Sequence, residues 1–236
     1  MMNFASKFDV FWELFIVQGG WKRVLSVGLV NTLLIAVLGL LIGIVLGTLI
    51  GAVKVMPKYK LLPKILDKIC TVYVGFFRGT PIVVQLLIGY YVLWPLLGIT
   101  ISPLNTSIII FGLNSAAYVS EIMRGGILSI DPGQMEAGRA LGLSYSTTMI
   151  KIVIPQAIKN ILPTLGNEFI ALIKDTSVVS FVAATDLYKT FTEIGNVRYE
   201  YFMPYLAMAL MYMILVFIIS CGVKAMERSL RKSDKN

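Results

Sequence analysis

Four ionisable side chains interrupt otherwise apolar stretches of this sequence: Arg78, Glu121, Arg124 and Glu168. Charged groups at membrane depth are costly, so each calls for a function or a buried partner. Glu121 and Arg124 stand three residues apart, a spacing that brings them onto one helix face as a structural ion pair. Arg78 precedes Gly79-Thr80-Pro81, a run that breaks or kinks a helix. Broken helices expose backbone groups, which a membrane tolerates where they line a cavity. Asn114 and Ser115 give their stretch a polar face, and Glu168 follows Asn167 shortly after Pro163. Lys174 and Asp175 come close behind. The candidate binding set is Arg78, Thr80, Asn114, Ser115, Asn167 and Glu168. Two roles stand open for Glu168: ligand of a bound cationic group, or structural partner of Arg78.

That chemistry is binding, and the composition argues against catalysis. The chain has no histidine, which excludes Ser-His-Asp and Cys-His nucleophilic sites and every histidine-ligated metal site. Cys70 and Cys221 lie far apart in apolar sequence without metal-ligand spacing and read as small buried hydrophobes. No cofactor or metal is implied. A phosphate-binding loop of the form G-x-x-x-x-G-K-[ST] is missing, so the chain is not expected to hydrolyse ATP itself. The net charge of +8 does not point to nucleic acid, because the basic residues flank apolar runs as they do in cytoplasmic loops.

The elements that must position these residues are membrane spans. Hydrophobic residues make up 57% of the chain and charged residues 14%, against roughly 25% charged in soluble domains. Five spans are expected: 24–53; 69–97, with Arg78, Pro81 and Pro95 inside; 105–130; 147–173, broken by Pro155 and Pro163; and 205–223. Gly39, Gly43, Gly47 and Gly51 recur every fourth residue along the first and form a ridge for close helix packing. Residues 1–23 carry Phe8, Phe11, Trp12, Phe15 and Ile16 at helical spacing and predict a segment lying in the interface. The domain plan is thus an interfacial segment 1–23, a transmembrane domain 24–224 and a cytoplasmic tail 225–236.

Lysine and arginine asymmetry orients the spans. Lys54, Lys58, Lys60, Lys64 and Lys68 follow the first span, and Lys224, Arg228, Arg231, Lys232 and Lys235 follow the last. The N-terminus is therefore expected outside and the C-terminus in the cytoplasm, with Trp12, Trp21 and Trp94 near the outer interface. Lys22, Arg23 and Arg198 fall outside, against the trend.

With this orientation the stretch between the third and fourth spans, SIDPGQMEAGRALGLS, faces the cytoplasm. Asp131 fits a helix N-cap, Pro132 the first helical position and Gly142 the C-terminal cap. A helix of about ten residues rises only about 15 Å and cannot span.

Glu136-Ala137-Gly138, then Gly142, then Ile152-Val153-Ile154-Pro155 resembles the E-A-A-x3-G-x9-I-x-L-P signature of ATP-binding-cassette importer permeases. Gly138 replaces the second alanine and Ile154 the leucine. The segments FFRGTPIVVQ, SAAYVSEIMRGGI and GNEFIALIKDTSVVS are similar to the polar amino acid branch of that family, and the likeness covers most of residues 24–224. It implies an all-α, polytopic bacterial inner-membrane protein of the type I importer permease fold, in which the short helix is a coupling helix. Glu136, Ala137, Gly138, Ala140 and Gly142 would then dock that helix in a groove of a separate cytoplasmic ATPase. The resemblance further implies a second permease chain, an extracellular binding protein and an amino acid substrate, with a leaning toward basic ones. Neutral or acidic amino acids are the alternative. An ion-coupled carrier or channel is more distant, since neither needs a docking helix for an ATPase.

The expected orientation is directly testable. In a background lacking Cys70 and Cys221, Ser6→Cys should react with an impermeant thiol reagent in intact cells. Ser144→Cys and Ser233→Cys should react only after permeabilisation, and labelling of Ser233→Cys from outside overturns the orientation.

Overall fold

The computed structural model describes residues 3–232; Met1, Met2 and residues 233–236, which include Lys235 of the expected tail, lie outside the described residues. Among the described residues every regular element is a helix. In order come α1 (Phe4–Trp12), α2 (Gly20–Val55), α3 (Leu61–Gly79), α4 (Ile82–Leu96), α5 (Pro103–Leu128), the short α6 (Pro132–Ala140), α7 (Ile154–Asp175), α8 (Leu187–Arg198) and α9 (Phe202–Lys232). Among the described residues α2, α5 and α9 are long and apolar enough to cross a bilayer, and α3 with α4 makes a fourth if the broken pair is one span. The expected span 147–173 is α7 with its lead-in turns. It carries Lys159, Glu168, Lys174 and Asp175 and is less apolar than the others.

The breaks follow from proline chemistry, though not everywhere as expected. Between α3 and α4 the residue before proline is forced out of the helical region: Thr80 sits at φ −122°, ψ 145° and Pro81 caps α4. Pro155 and Pro163 do not break their span. Pro155 stands second in α7, just after a wide π-helical turn, Met149–Val153, that accommodates its missing N–H. At Pro163 the helix runs on. The hydroxyl of Thr164 donates to the Asn160 carbonyl at 3.2 Å in the turn that Pro163 disturbs, a repair that serine and threonine often make in membrane helices.

The chain forms two compact units, residues 1–39, 81–111 and 171–218 in one and 40–80, 112–170 and 219–236 in the other. In the first, the N-terminal segment is packed against α8. Leu14 and Val24 pack with Leu187, Phe191 and Ile194 of α8, and Phe15 stacks on Phe191 with centroids 6.0 Å apart. Lys7–Glu200, Glu13–Arg198 and Arg23–Glu193 ion pairs tie the same segment down, while Phe8 and Trp12 stay exposed. Helix α8 was not foreseen from the sequence. Asp186 caps it by accepting from the Tyr188 and Lys189 amides, and burial pushes the Asp186 carboxyl up to about 6 despite those bonds.

The second unit holds the candidate functional residues. Its apolar core joins Val119 of α5 to Ala157, Ile161 and Leu165 of α7. The glycine ridge of α2 packs as expected: Gly43, Gly47 and Gly51 are buried against Ser115, Val119 and Met123 of α5. A Cβ on Gly47 would stand 2.7 Å from Val119 Cβ and 2.8 Å from the Ala116 carbonyl oxygen, so the two backbones touch there.

Gly47→Val should therefore lower the melting temperature of the purified chain by several degrees and reduce its yield. Gly75→Ala, where an added Cβ meets nothing within 4 Å, should leave both unchanged. Equal melting of the two variants would mean that the ridge does not set the α2–α5 distance.

Candidate functional site

Three helices of the second unit bring the candidate binding residues together. Helix α3 ends at Gly79, which leaves its last carbonyls without intrahelical partners. Thr80 Oγ1 donates to the Phe76 carbonyl at 2.8 Å and Asn114 Nδ2 to the Phe77 carbonyl at 3.3 Å. Tyr73 hydroxyl returns the contact, donating to the Leu113 carbonyl at 2.6 Å. Next along α5, Ser115 is fully buried and its Oγ donates to Glu168 Oε1 of α7 at 3.3 Å. Thr80 and Asn114 are thus linked through the end of α3, and Ser115, next to Asn114 on α5, holds Glu168. The carbonyl end of a helix carries partial negative charge, and Glu168 adds a carboxylate, so the cluster is an acidic pole.

The other two residues of the expected set lie elsewhere. Asn167, exposed on α7, makes no side-chain hydrogen bond among the described residues. Arg78 does not pair with Glu168; its guanidinium lies over the Tyr118 ring, 5.4 Å from the centroid. The structural role that remained open for Glu168 as partner of Arg78 is therefore not realised.

Glu121 and Arg124 form the expected pair, with Arg124 Nη2 at 2.8 Å from Oε2. Sequence spacing missed a third member. Lys54, counted among the cytoplasmic lysines, reaches Glu121 Oε1 from the end of α2, with both side chains largely shielded. Glu121 so joins two helices as well as two cations. Also unforeseen were Tyr118 of α5 and Asn160 and Thr164 of α7, which line a cavity with Arg78. Asn160, Thr164 and Glu168 recur every fourth residue, a polar stripe that the sequence did display.

The short helix α6 has its expected ends. Asp131 Oδ1 accepts from the Gly133 amide at 2.7 Å, and Gly142 adopts φ +82°, a left-handed conformation that costs glycine little. Glu136, Ala137, Arg139, Ala140 and Leu141 are exposed. Gly138 faces the other way: it is buried, and a Cβ there would collide with the Thr148 side chain. Its small size serves packing within the chain. Tyr145, beside α6, donates to the Val55 carbonyl at the end of α2 at 3.3 Å. Burial, with Tyr59 nearby, holds its phenol above the usual value. The base of α6 is thus fastened to α2 and to the lead-in of α7.

An all-helical chain with several bilayer-length helices, charged groups gathered within them and a short exposed helix between two of them has the build of a membrane transport subunit. Residues 39–232 match the family described as binding-protein-dependent transport system inner membrane component, and the chain belongs to that family. It is 43% identical over 162 residues to the arginine transport system permease protein ArtQ of Bacillus subtilis (strain 168), covering 69% of this chain and 74% of that one. To the L-cystine transport system permease protein TcyB of the same organism it is 37% identical over 220 residues, 93% of this chain and 91% of that one. A crystal structure described as an amino acid ABC transporter with histidines superposes with a TM-score of 0.81 at 35% identity, covering 97% of this chain and 99% of that one.

Proposed function

We propose that the chain is the permease subunit of an ATP-driven amino acid importer that leans toward basic substrates and moves them by alternating access. The observation that carries this reading is the acidic pole: Glu168 held by Ser115, beside the carbonyl end of α3 that Asn114 and Thr80 line. Such an arrangement suits an ammonium or guanidinium. The relatives named for arginine and for cystine support an amino acid and divide on its charge. A neutral amino acid, held at the same pole through its α-ammonium, is the second reading.

In this reading the chain crosses the inner membrane five times, with its N-terminus outside and its tail in the cytoplasm, and residues 24–224 form the transport domain. A second permease chain, identical or sister, completes the pathway, and an extracellular binding protein delivers substrate. ATP is hydrolysed in separate subunits. Their contact is the exposed face of α6, where Glu136 offers a carboxylate and Ala137 and Ala140 allow close approach. Because α6 is fastened to the ends of α2 and α7, a push on it is passed to α7, which carries Glu168, and to α2, which packs on α5.

Glu168→Gln removes the charge while keeping size and hydrogen bonding. A charge-assisted hydrogen bond contributes about 1.5–3 kcal/mol, or about a tenfold to hundredfold change in affinity. Uptake of L-arginine into proteoliposomes should show that rise in half-saturating concentration, with assembly by size exclusion unchanged. Wild-type kinetics in the variant would remove Glu168 from the site.

Glu136→Lys reverses the charge on the exposed face of α6, and Gly142→Leu strains its left-handed cap. Both chains should insert in the membrane yet co-purify poorly with the ATPase or lose substrate-stimulated hydrolysis. Normal co-purification and transport in both would show that α6 is not the lever.

A further inference from the structure

One helical turn from the Glu168 cluster lies a cavity of about 470 Å3, within the roughly 300–1,000 Å3 typical of small-molecule sites. Arg78, Tyr118, Glu121, Ser129, Asn160 and Thr164 are in its wall; Glu168, Ser115 and Asn114 are not. Its charge is opposite to that of the acidic pole. Glu121, the sole carboxylate of the wall, is already held by Lys54 and Arg124. Arg78 has no ion pair among the described residues and rests on the face of Tyr118. An aromatic face stabilises the cation but offers no lone pairs to its five N–H donors. Two further donors stand free. Asn160 spends one amide hydrogen on Ser129 Oγ at 2.9 Å and keeps the other, and the Tyr118 hydroxyl makes no hydrogen bond among the described residues. Arg78 stands exposed at the end of α3, and an oxyanion in this cavity would pair with its charge.

We propose that this cavity is a second binding position, selective for a carboxylate, which takes a second amino acid molecule through Arg78, Tyr118 and Asn160. The proposal rests on the transport reading above. An amino acid carries its ammonium and carboxylate on one carbon. A molecule whose α-ammonium sits on Glu168 keeps its carboxylate near that pole, whereas the cavity begins at Thr164, one turn or about 5.4 Å along α7. Two poles of opposite sign, each with its own donors or acceptors, then mark successive places for a substrate on its way through. A phospholipid phosphate offers Arg78 the same oxyanion chemistry, and the test separates the two sources.

The test is equilibrium binding of radiolabelled L-arginine, L-glutamine and agmatine to the purified permease–ATPase complex without binding protein. Agmatine keeps the guanidinium of arginine and lacks its carboxylate. The wild type should bind two molecules of the preferred amino acid per permease chain but no more than one agmatine. Arg78→Gln should weaken one class about tenfold or more and Glu168→Gln the other. Asn160→Asp, a substitution at an exposed position that places a negative charge in the cavity, should weaken the same class as Arg78→Gln and guards against misfolding of that variant. A single class lost in both Arg78→Gln and Glu168→Gln overturns the second position and leaves the transport reading standing. One tightly held phospholipid per chain, counted by phosphorus and lost in Arg78→Gln while amino acid binding is unchanged, assigns the cavity to lipid and overturns it as well. Binding of neither amino acid by the wild type overturns the transport reading together with the proposal.

Discussion

Everything in the second unit depends on how closely α2 approaches α5. Lipid tails are as apolar as leucine, so burial of hydrophobic surface does not hold membrane helices together; close packing and hydrogen bonds do. The glycine ridge supplies the close packing, since at Gly43 and Gly47 even a single methyl group would meet Ser115, Val119 or the Ala116 carbonyl. With α5 pressed against α2, Ser115 has little room to move, and its hydroxyl is held where Glu168 can accept from it. The same approach brings Lys54 to Glu121, so the two helices are also joined by an ion pair shielded from solvent.

That frame lets polar groups exist at depth without collapsing onto one another. Glu121 is held by two cations, and Arg78 has no ion pair among the described residues. The break at Thr80-Pro81 adds to the acidic pole, because ending α3 there exposes carbonyls that Thr80 and Asn114 then organise. Proline thus contributes to the site by what it interrupts. The prolines of α7 contribute nothing of the kind, since the wide turn before Pro155 and the Thr164 hydroxyl after Pro163 keep that helix continuous.

The short helix α6 divides its residues between two tasks. Gly138 and the caps at Asp131 and Gly142 fix the helix to its own chain, whereas Glu136, Ala137, Arg139, Ala140 and Leu141 are presented outward. A signature of small residues therefore mixes internal packing with exposed surface, and only burial distinguishes them.

By itself the sequence determined whatever follows from local rules. Run length and charge placement marked a membrane protein of several apolar spans. The four-residue glycine period, the caps of α6, the break at Thr80-Pro81 and the Glu121–Arg124 pair all act within about one turn, and each was legible for that reason. Tertiary structure decided what joins residues far apart in the chain: Lys54 with Glu121, Ser115 with Glu168, and the N-terminal segment with an α8 that no periodicity announced. It also decided which faces turn together, setting Arg78 on Tyr118 rather than on Glu168 and placing Asn160 in a cavity wall. Spacing along a helix tells which residues share a face. Which face meets which neighbour depends on how closely backbones can approach, and that is a property of the packed chain.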